Sequence, residues 1–266
     1  MNYISRYNME YNPFLKNENK YVYQSKVYKE VEYRLDSLLK AKGFGILTGS
    51  PGLGKTTIIR TYLNNLNTHS YKIIYTSLSN LTLNEFYRHL AECLNIEPHQ
   101  KRSVNFRNIQ AEIQRYSNEK KITPIIVIDE ANYMNNNVLN DLKMLFNFDM
   151  DSKDKAVIVL VGLNSLNNLM NLVANEPLKQ RIIVNYNIDN YDKEETKNYI
   201  ESKLKASGTS IEIFESNAIE SIVNFSNGIP RMIDKYCDKC LLLGNNAKLN
   251  VITAEIVLDA ASEIEL

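Results

Sequence analysis

The chain has 266 residues, 44% of them hydrophobic, which is enough for a core without disulfide bonds and for one large or two small domains. Basic and acidic residues number 31 each, so the net charge is zero; this excludes a strongly basic coat for nucleic acid but not a local basic patch. The three cysteines are a low, odd count, typical of a reducing compartment. No apolar run approaches about 18 residues and the N-terminus lacks a signal-peptide core, so we expect a cytoplasmic protein that does not contact a membrane.

The first predicted elements lead to a phosphate-binding loop. Apolar spacing predicts a helix over 25–42, and a buried strand follows at 44–48. Residues 49–56 then fit the pattern G-x-x-x-x-G-K-[ST], directly before an apolar helix at 55–66. Glycines let the backbone approach an anion closely, and the helix N-terminus adds a positive dipole end. The stretch therefore predicts a nucleotide site, in preference to an ordinary glycine turn between strand and helix.

The residues of this loop have distinct expected roles. The Lys55 ammonium can reach the β- and γ-phosphates of ATP, and the Thr56 hydroxyl can hold Mg²⁺. The residues predicted to bind these cofactors are Gly49, Ser50, Pro51, Gly52, Leu53, Gly54, Lys55, Thr56, Thr57 and Asp129.

Strands and helices alternate after this loop. Further strands are predicted at 72–78, 123–129, 156–162 and 181–185, with helices at 82–95, 103–119, 136–148 and 163–179. Such alternation is typical of a parallel sheet covered by helices on both faces, so we predict an α/β fold. From residue 189 onward the predicted segments are helical only, at 192–206, 214–226, 230–244 and 252–262. We therefore predict an α/β nucleotide-binding domain at 1–188, including an N-terminal segment 1–42, and a small helical lid domain at 189–266.

An acidic pair ends the strand at 123–129. The sequence IIVIDE places Asp129 at the carboxyl end of a parallel strand, where such sheets bind ligands, and Asp129 would hold Mg²⁺ together with Thr56. Glu130 is placed to polarise the attacking water. An apolar run that ends in Asp-Glu is weak evidence alone, but downstream of a phosphate loop it supports an ATP hydrolase with a Walker B acid pair.

Seven stretches are characteristic in combination: NPF at 12–14, GFGILTGSPGLGKTT at 43–57, IDEAN at 128–132, LFNFDMDS at 145–152, LVGLNSL at 160–166, LKQRI at 178–182 and NGIPRMID at 227–234. Together they resemble an AAA+ ATPase of the ExeA-like group, related to the transposition ATPases TniB and TnsC. The resemblance extends from about Tyr11 to Leu258. It implies the AAA+ P-loop fold with its lid, ATP hydrolysis with Mg²⁺, and a homo-oligomer in the form of a ring or helical filament.

The resemblance also implies roles for three residues that lie outside the phosphate-binding loop and the acid pair. Arg181 in LKQRI stands where the group has an arginine finger, which completes the site of a neighbouring subunit. Arg231 in GIPR matches the sensor-2 arginine, which reaches the γ-phosphate of its own subunit. Asn164 is the polar sensor-1 candidate, although the group usually has Gln-Pro where this chain has Leu163-Asn164. With Glu130, these residues form the predicted catalytic set.

A basic stretch of the sequence is a candidate site for contacts with nucleic acid. Residues 101–121 carry six basic residues and two glutamates. In the related transposition ATPases, loops that follow the second strand touch the DNA backbone, and the corresponding loops here are 77–82 and 99–103. The resemblance implies non-specific phosphate contacts with duplex DNA, and a solvated helix face is the alternative interpretation. The DNA-contacting candidates are Asn80, Lys101, Arg102 and Ser103.

Three functions remain open at this point. The first is an ATP-hydrolysing regulator of DNA transposition that oligomerises on duplex DNA and directs a partner transposase to its target. The second is an ExeA-like ATPase that drives assembly of a secretion or other protein complex without nucleic acid. The third is a nucleotide-gated switch with little hydrolysis, against which Glu130 and Arg181 argue. The basic stretch and the missing membrane segment favour the first function.

Overall fold

The structure is a computed structural model that describes residues 3–17, 21–77, 80–149, 153–209 and 212–264. Three of the predicted stretches extend into gaps between these ranges. Residue 78 of the predicted strand 72–78, residues 78–79 of the loop 77–82 and residues 150–152 of the stretch 145–152 lie outside the described residues.

The described elements follow the predicted order. The strands are β1 (Gly43–Gly49), β2 (Tyr71–Thr76), β3 (Thr123–Ile128), β4 (Val157–Gly162) and β5 (Ile182–Ile188). The helices are α1 (Tyr3–Arg6), α2 (Lys26–Ala41), α3 (Lys55–Asn64), α4 (Leu83–Cys93), α5 (Arg102–Gln114), α6 (Asn136–Leu145), α7 (Ser165–Met170), α8 (Glu176–Lys179), α9 (Lys193–Ala206), α10 (Ser216–Ser226), α11 (Pro230–Asn246) and α12 (Ala254–Ile264). Within the described ranges, no helix combines the length and the apolar character needed to cross a membrane.

The five strands form one parallel sheet in the order β2-β3-β4-β1-β5. In β1, Phe44 and Ile46 face the core that α4, α5 and α6 build on one side of the sheet. Leu47 faces the other side, where it lines a small apolar space with Leu35 and Leu38 of α2. The near-continuous apolar runs of β1, β3 and β4 are explained by this burial on both faces. The predicted α/β fold with helices on both faces of a parallel sheet is confirmed.

The element boundaries differ from the predicted ones by a few residues, each for a local reason. Helix α2 begins at Lys26 because the Ser25 hydroxyl accepts a hydrogen bond from the backbone N–H of Tyr28 at 2.9 Å. Strand β5 continues to Ile188, three residues past its predicted end at Asn185. As an edge strand it alternates between partly buried and exposed side chains, and its polar residues occupy exposed positions.

The chain divides into two compact units. One comprises Glu30–Pro51 and Lys55–Ile188, and the other comprises Met1–Lys29, Gly52–Gly54 and Asp189–Leu266. The predicted domains, 1–188 with its N-terminal segment 1–42 and 189–266, stay a prediction. In the structure, the described residues before Glu30 group with the C-terminal helices, and residues 30–42 group with the α/β unit.

The core of the helical unit explains this grouping. Tyr7, Met9 and Phe14 are buried among apolar side chains of α9 to α12. Asn12 of the NPF stretch is fully buried; its Nδ2 donates to Asp238 Oδ1 at 2.6 Å and its Oδ1 accepts from the backbone N–H of Phe14 at 2.9 Å. The buried Asn12 thus has partners for its amide and holds the N-terminal chain on α11. Sequence spacing gave no sign of this contact, since its partners are 226 residues apart.

Candidate active site

The phosphate-binding loop joins β1 to α3. Lys55, the first residue of α3, donates from Nζ to the carbonyl oxygens of Gly49 and Ser50 at 2.8 and 2.9 Å. Gly52 and Gly54 both have positive φ angles, 85° and 83°, a conformation that a Cβ would disfavour. The loop therefore holds an ammonium group at the N-terminus of α3, and the two together suit the phosphates of ATP.

Gly52 is required for a second reason. A Cβ at this position would lie 3.0 Å from both Arg231 Cβ and Ile229 Cγ2. The backbone N–H of Arg231 donates to the Gly52 carbonyl at 3.2 Å, so the first turn of α11 contacts this glycine directly. The Arg231 side chain is exposed. Its sensor-2 role stays a prediction.

Asp129 directly follows β3 and is 4% exposed. Its Oδ2 accepts hydrogen bonds from the Thr56 hydroxyl at 2.7 Å and from the Tyr75 hydroxyl at 2.8 Å, and its Oδ1 accepts from the backbone N–H of Glu130 at 2.9 Å. The Thr56 hydroxyl gives its only proton to Asp129, which leaves its oxygen lone pairs available to a cation. A hydroxyl oxygen beside a carboxylate is the donor set that Mg²⁺ prefers, so the residues fit the ion that the ATP site needs.

Glu130 follows in a strained backbone conformation. Its φ and ψ are 54° and 33°, in the left-handed region, which costs a residue with a Cβ about 1–2 kcal/mol. The side chain is exposed. The turn thereby directs the chain away from β3 immediately after the buried Asp129. A solvent-accessible carboxylate one residue after Asp129 can accept a proton from water.

The segment after β4 contains the predicted sensor-1 residue, whose role stays a prediction. Asn164, the predicted sensor-1 residue, is exposed at the N-cap of α7 and its side chain makes no capping hydrogen bond. Asn167, one turn later, donates from Nδ2 to the Thr48 hydroxyl at 3.0 Å, and Thr48 is the residue directly before the loop glycine Gly49. The described contacts therefore bring Asn167, which the sequence did not single out, to the start of the phosphate-binding loop.

Asn132 ties the acid pair to the end of β4. Its Oδ1 accepts a hydrogen bond from the backbone N–H of Leu163 at 2.9 Å, and the residue lies close against Gly162. The turn that contains Glu130 is thereby attached to the strand next to β3. No pattern in the sequence predicts this contact, because it depends on the strand order.

Arg181 lies between α8 and β5 with its guanidinium turned inward. It donates to the carbonyl oxygens of Lys143 and Phe146 at 2.9 and 3.1 Å, at the end of α6, and forms an ion pair with Asp154 at 3.0 Å. Its side chain is 15% exposed. The finger assignment stays a prediction, and the residue has in addition an internal role that the sequence did not indicate. A finger would have to exchange these contacts for a neighbour's phosphate.

The DNA-contacting candidates lie on the surface. Asn80, Lys101, Arg102 and Ser103 are all exposed. Arg102 forms an ion pair with Asp141 at 3.4 Å, and its side chain remains 51% exposed. These contacts leave both cations of the loop accessible to a phosphate.

Comparison with known proteins identifies relatives of this arrangement. Residues 38–170 match the model of a family described as "AAA domain". The chain is 28% identical over 227 residues to General secretion pathway protein A of Aeromonas hydrophila; the match covers 84% of this chain but 41% of that protein. The chain thus spans less than half the length of this relative.

Solved structures share the fold. Cdc6p from Pyrobaculum aerophilum superposes with a TM-score of 0.67 at 17% identity, covering 98% of this chain and 70% of that one. The Aeropyrum pernix ORC1 protein, solved in complex with DNA, gives 0.67 at 13% identity, covering 96% and 69%. The Thermotoga maritima RuvB Holliday junction branch migration motor gives 0.57 at 25% identity, covering 89% and 67%. At such low identity, the Cdc6p and ORC1 matches support the fold alone.

Proposed function

The chain belongs to the AAA domain family and is a P-loop ATP hydrolase that uses ATP and Mg²⁺, and on this premise we propose that it assembles with ATP on duplex DNA and directs a partner transposase to its target. The observation that carries the DNA part is the exposed start of α5, where Lys101, Arg102 and Ser103 follow one another. The transposase part derives from the resemblance to TniB and TnsC.

The loop before α5 is held in one shape by a buried side chain. Asn105 is fully buried; its Oδ1 accepts from the backbone N–H of His99 at 2.7 Å and its Nδ2 donates to the His99 carbonyl at 2.9 Å. The backbone N–H of Lys101 donates to His99 Nδ1 at 3.0 Å. No side chain caps the N-terminus of α5 at Lys101. Two cations beside uncapped helix N–H groups favour a phosphate.

The basic residues at the other end of this helical segment have different surroundings. Arg115 forms two hydrogen bonds with the Glu112 carboxylate, at 2.7 and 2.6 Å, and the Lys120 ammonium lies 4.3 Å from the centre of the Tyr116 ring. Since each helical residue advances about 1.5 Å, this end is on the order of 25 Å from Lys101. The proposal therefore concerns only the start of α5 near Lys101, and the basic residues Arg115 and Lys120 provide a control.

We expect the double variant Lys101→Ala/Arg102→Ala to lose about tenfold or more in affinity for duplex DNA. Each phosphate contact contributes about 0.9 to the slope of log affinity against log salt, so the slope should fall by nearly 2. Fluorescence anisotropy of a labelled duplex, titrated at several salt concentrations with a slowly hydrolysed ATP analogue, measures both quantities. Basal ATP turnover should be unchanged.

The double variant Arg115→Ala/Lys120→Ala is the matched control, because it also removes one arginine and one lysine. An equal loss of affinity in both variants would contradict a specific role for the start of α5. If the unmodified protein binds no duplex DNA at low salt with ATP present, the DNA proposal itself is overturned.

A second candidate function would replace the DNA proposal if that experiment found no binding of duplex DNA. The similarity to General secretion pathway protein A supports an ATPase that drives assembly of a secretion or other protein complex without nucleic acid. Because the chain matches less than half of that relative, its partners and activity remain proposals for this chain. A partner protein captured with the ATP-bound form, with turnover unaffected by DNA, is the result that this candidate predicts.

Homo-oligomerisation, as a ring or filament, is part of both candidates and gives a separate prediction. If Arg181 completes a neighbour's site, Arg181→Ala should bind nucleotide but lose hydrolysis, and mixing it with Lys55→Ala should restore part of the activity. One subunit of such a pair keeps its finger and the other keeps its phosphate loop. Steady-state ATPase assays over a range of protein concentrations and mixing ratios test this.

The internal contacts of Arg181 require a control in that experiment. Removal of the guanidinium takes the ion pair from Asp154 and the hydrogen bonds from the carbonyl oxygens of Lys143 and Phe146. This loss should lower the free energy of unfolding by about 1–3 kcal/mol. Denaturant titration of the variant measures this loss. A stability loss together with concentration-independent hydrolysis and no recovery on mixing would leave Arg181 a structural residue and contradict the shared site.

A further inference from the structure

Tyr75 occupies an unusual position for a half-exposed tyrosine. It lies near the end of β2, paired in register with Val127 of β3, and is 44% exposed. Its hydroxyl nevertheless donates to the buried Oδ2 of Asp129 at 2.8 Å. A phenol with this much access to solvent could form a hydrogen bond with water instead. The direct hydrogen bond to the Asp129 carboxylate therefore indicates a specific role for the hydroxyl.

The end of β2 is attached to Asp129 twice. Besides the phenol bond of Tyr75, the backbone N–H of Asp129 donates to the carbonyl of Thr76 at 2.8 Å. The ring of Tyr75 therefore projects from a fixed point of the sheet. Its hydroxyl reaches the carboxylate from β2, whereas the Thr56 hydroxyl reaches the same oxygen from α3.

These contacts determine the orientation of the carboxylate. Oδ2 of Asp129 receives Thr56 and Tyr75, and Oδ1 receives the backbone N–H of Glu130. Without the phenol, one donor remains on each oxygen and the carboxylate can tilt about its χ2 angle, which is a soft torsion. Such a tilt would move the acceptor of the Thr56 proton and turn the threonine lone pairs away from the metal position.

The phenol is suited to a fixed role. A phenol carries one O–H on a rigid ring, and that proton is donated to Oδ2 of Asp129. The direction of the donor is therefore set by the place at which β2 holds the ring.

We propose that Tyr75 is a positioning residue of the Mg²⁺ site, which holds the Asp129 carboxylate so that Thr56 presents its oxygen to the metal of the Mg²⁺–ATP complex. This inference concerns the ATP site and is independent of whether the ATPase acts on DNA or on a protein complex.

The test separates nucleotide binding with and without the metal. Tyr75→Phe keeps the ring and removes only the donor. We expect its affinity for ATP in EDTA to stay within about twofold of the unmodified protein, because the phosphate loop and Lys55 are unchanged. The gain in affinity on adding Mg²⁺ should fall about three- to tenfold, and half-maximal turnover should need correspondingly more Mg²⁺, with excess Mg²⁺ restoring the rate.

Isothermal titration calorimetry with a slowly hydrolysed ATP analogue measures the binding difference. The matched control is Tyr33→Phe, which removes the hydroxyl of a tyrosine that is 72% exposed on α2. Equal losses with and without Mg²⁺ would assign Tyr75 a merely structural role and overturn the proposal, as would an unchanged Mg²⁺ gain. Failure of the unmodified protein to bind any nucleotide would instead count against the ATP site as a whole.

Discussion

Lys55→Ala is expected to weaken ATP binding on the order of 100-fold and to leave the fold intact. The ammonium lies 2.8 and 2.9 Å from the carbonyl oxygens of Gly49 and Ser50, and it can donate hydrogen bonds to the β- and γ-phosphates in their place. A hydrogen bond to a charged group contributes about 1.5–3 kcal/mol, so the loss of two such contacts at the lower end of that range, about 3 kcal/mol in total, gives an effect of this size. Isothermal titration with ATP and Mg²⁺ measures it.

A second lysine variant controls for the loss of charge. Lys205 is exposed on α9, so Lys205→Ala removes one positive charge at a distance from the loop in sequence and should bind ATP normally. Thermal unfolding of both variants without nucleotide should be similar to that of the unmodified protein. Unchanged ATP affinity in Lys55→Ala would contradict the assignment of residues 49–56 as the phosphate-binding loop.

The fold and the centre of the site could be predicted from the sequence because both are encoded in short segments. The apolar runs at 124–128 and 157–161 lie in strands that the sheet buries on both faces, and an unpaired polar side chain at those positions would be strongly destabilising. Likewise, the loop pattern and the position at the end of β3 were enough to predict three site residues, Lys55, Thr56 and Asp129. The 2.7 Å hydrogen bond between Thr56 and Asp129 joins two residues that the sequence had already paired.

The remaining site residues depend on contacts between distant segments. Tyr75 reaches Asp129 only because β2 and β3 are neighbours in the sheet, and Asn167 reaches Thr48 only because β4 lies beside β1. Neither Tyr75 nor Asn167 is part of a sequence motif that would indicate a role in the site. For Arg181, the resemblance to a family assigns a role between subunits, whereas its contacts within one chain could be seen only in the structure.

Glu130→Gln is expected to bind ATP with unchanged affinity and to lose hydrolysis by a factor on the order of 100 to 10,000, the range typical of a general acid or base. Glutamine has nearly the same shape as glutamate, so it can occupy the same left-handed backbone conformation at φ 54° with the same strain. Its amide nitrogen, however, cannot accept a proton from the attacking water. The variant should therefore accumulate the ATP-bound form, and with it any assembled oligomer.

The measurement combines equilibrium binding with single-turnover hydrolysis, so that loss of chemistry is separated from slow product release. Glu92→Gln, at an exposed position on α4, is the matched control for the change of charge and should hydrolyse ATP normally. Because Asp129 keeps its hydrogen bonds to Thr56 and Tyr75 in the Glu130→Gln variant, Mg²⁺-dependent binding should also be preserved. Hydrolysis at the unmodified rate would show that another group activates the water, and weakened Mg²⁺–ATP binding would show that Glu130 acts on the metal site and not on the water.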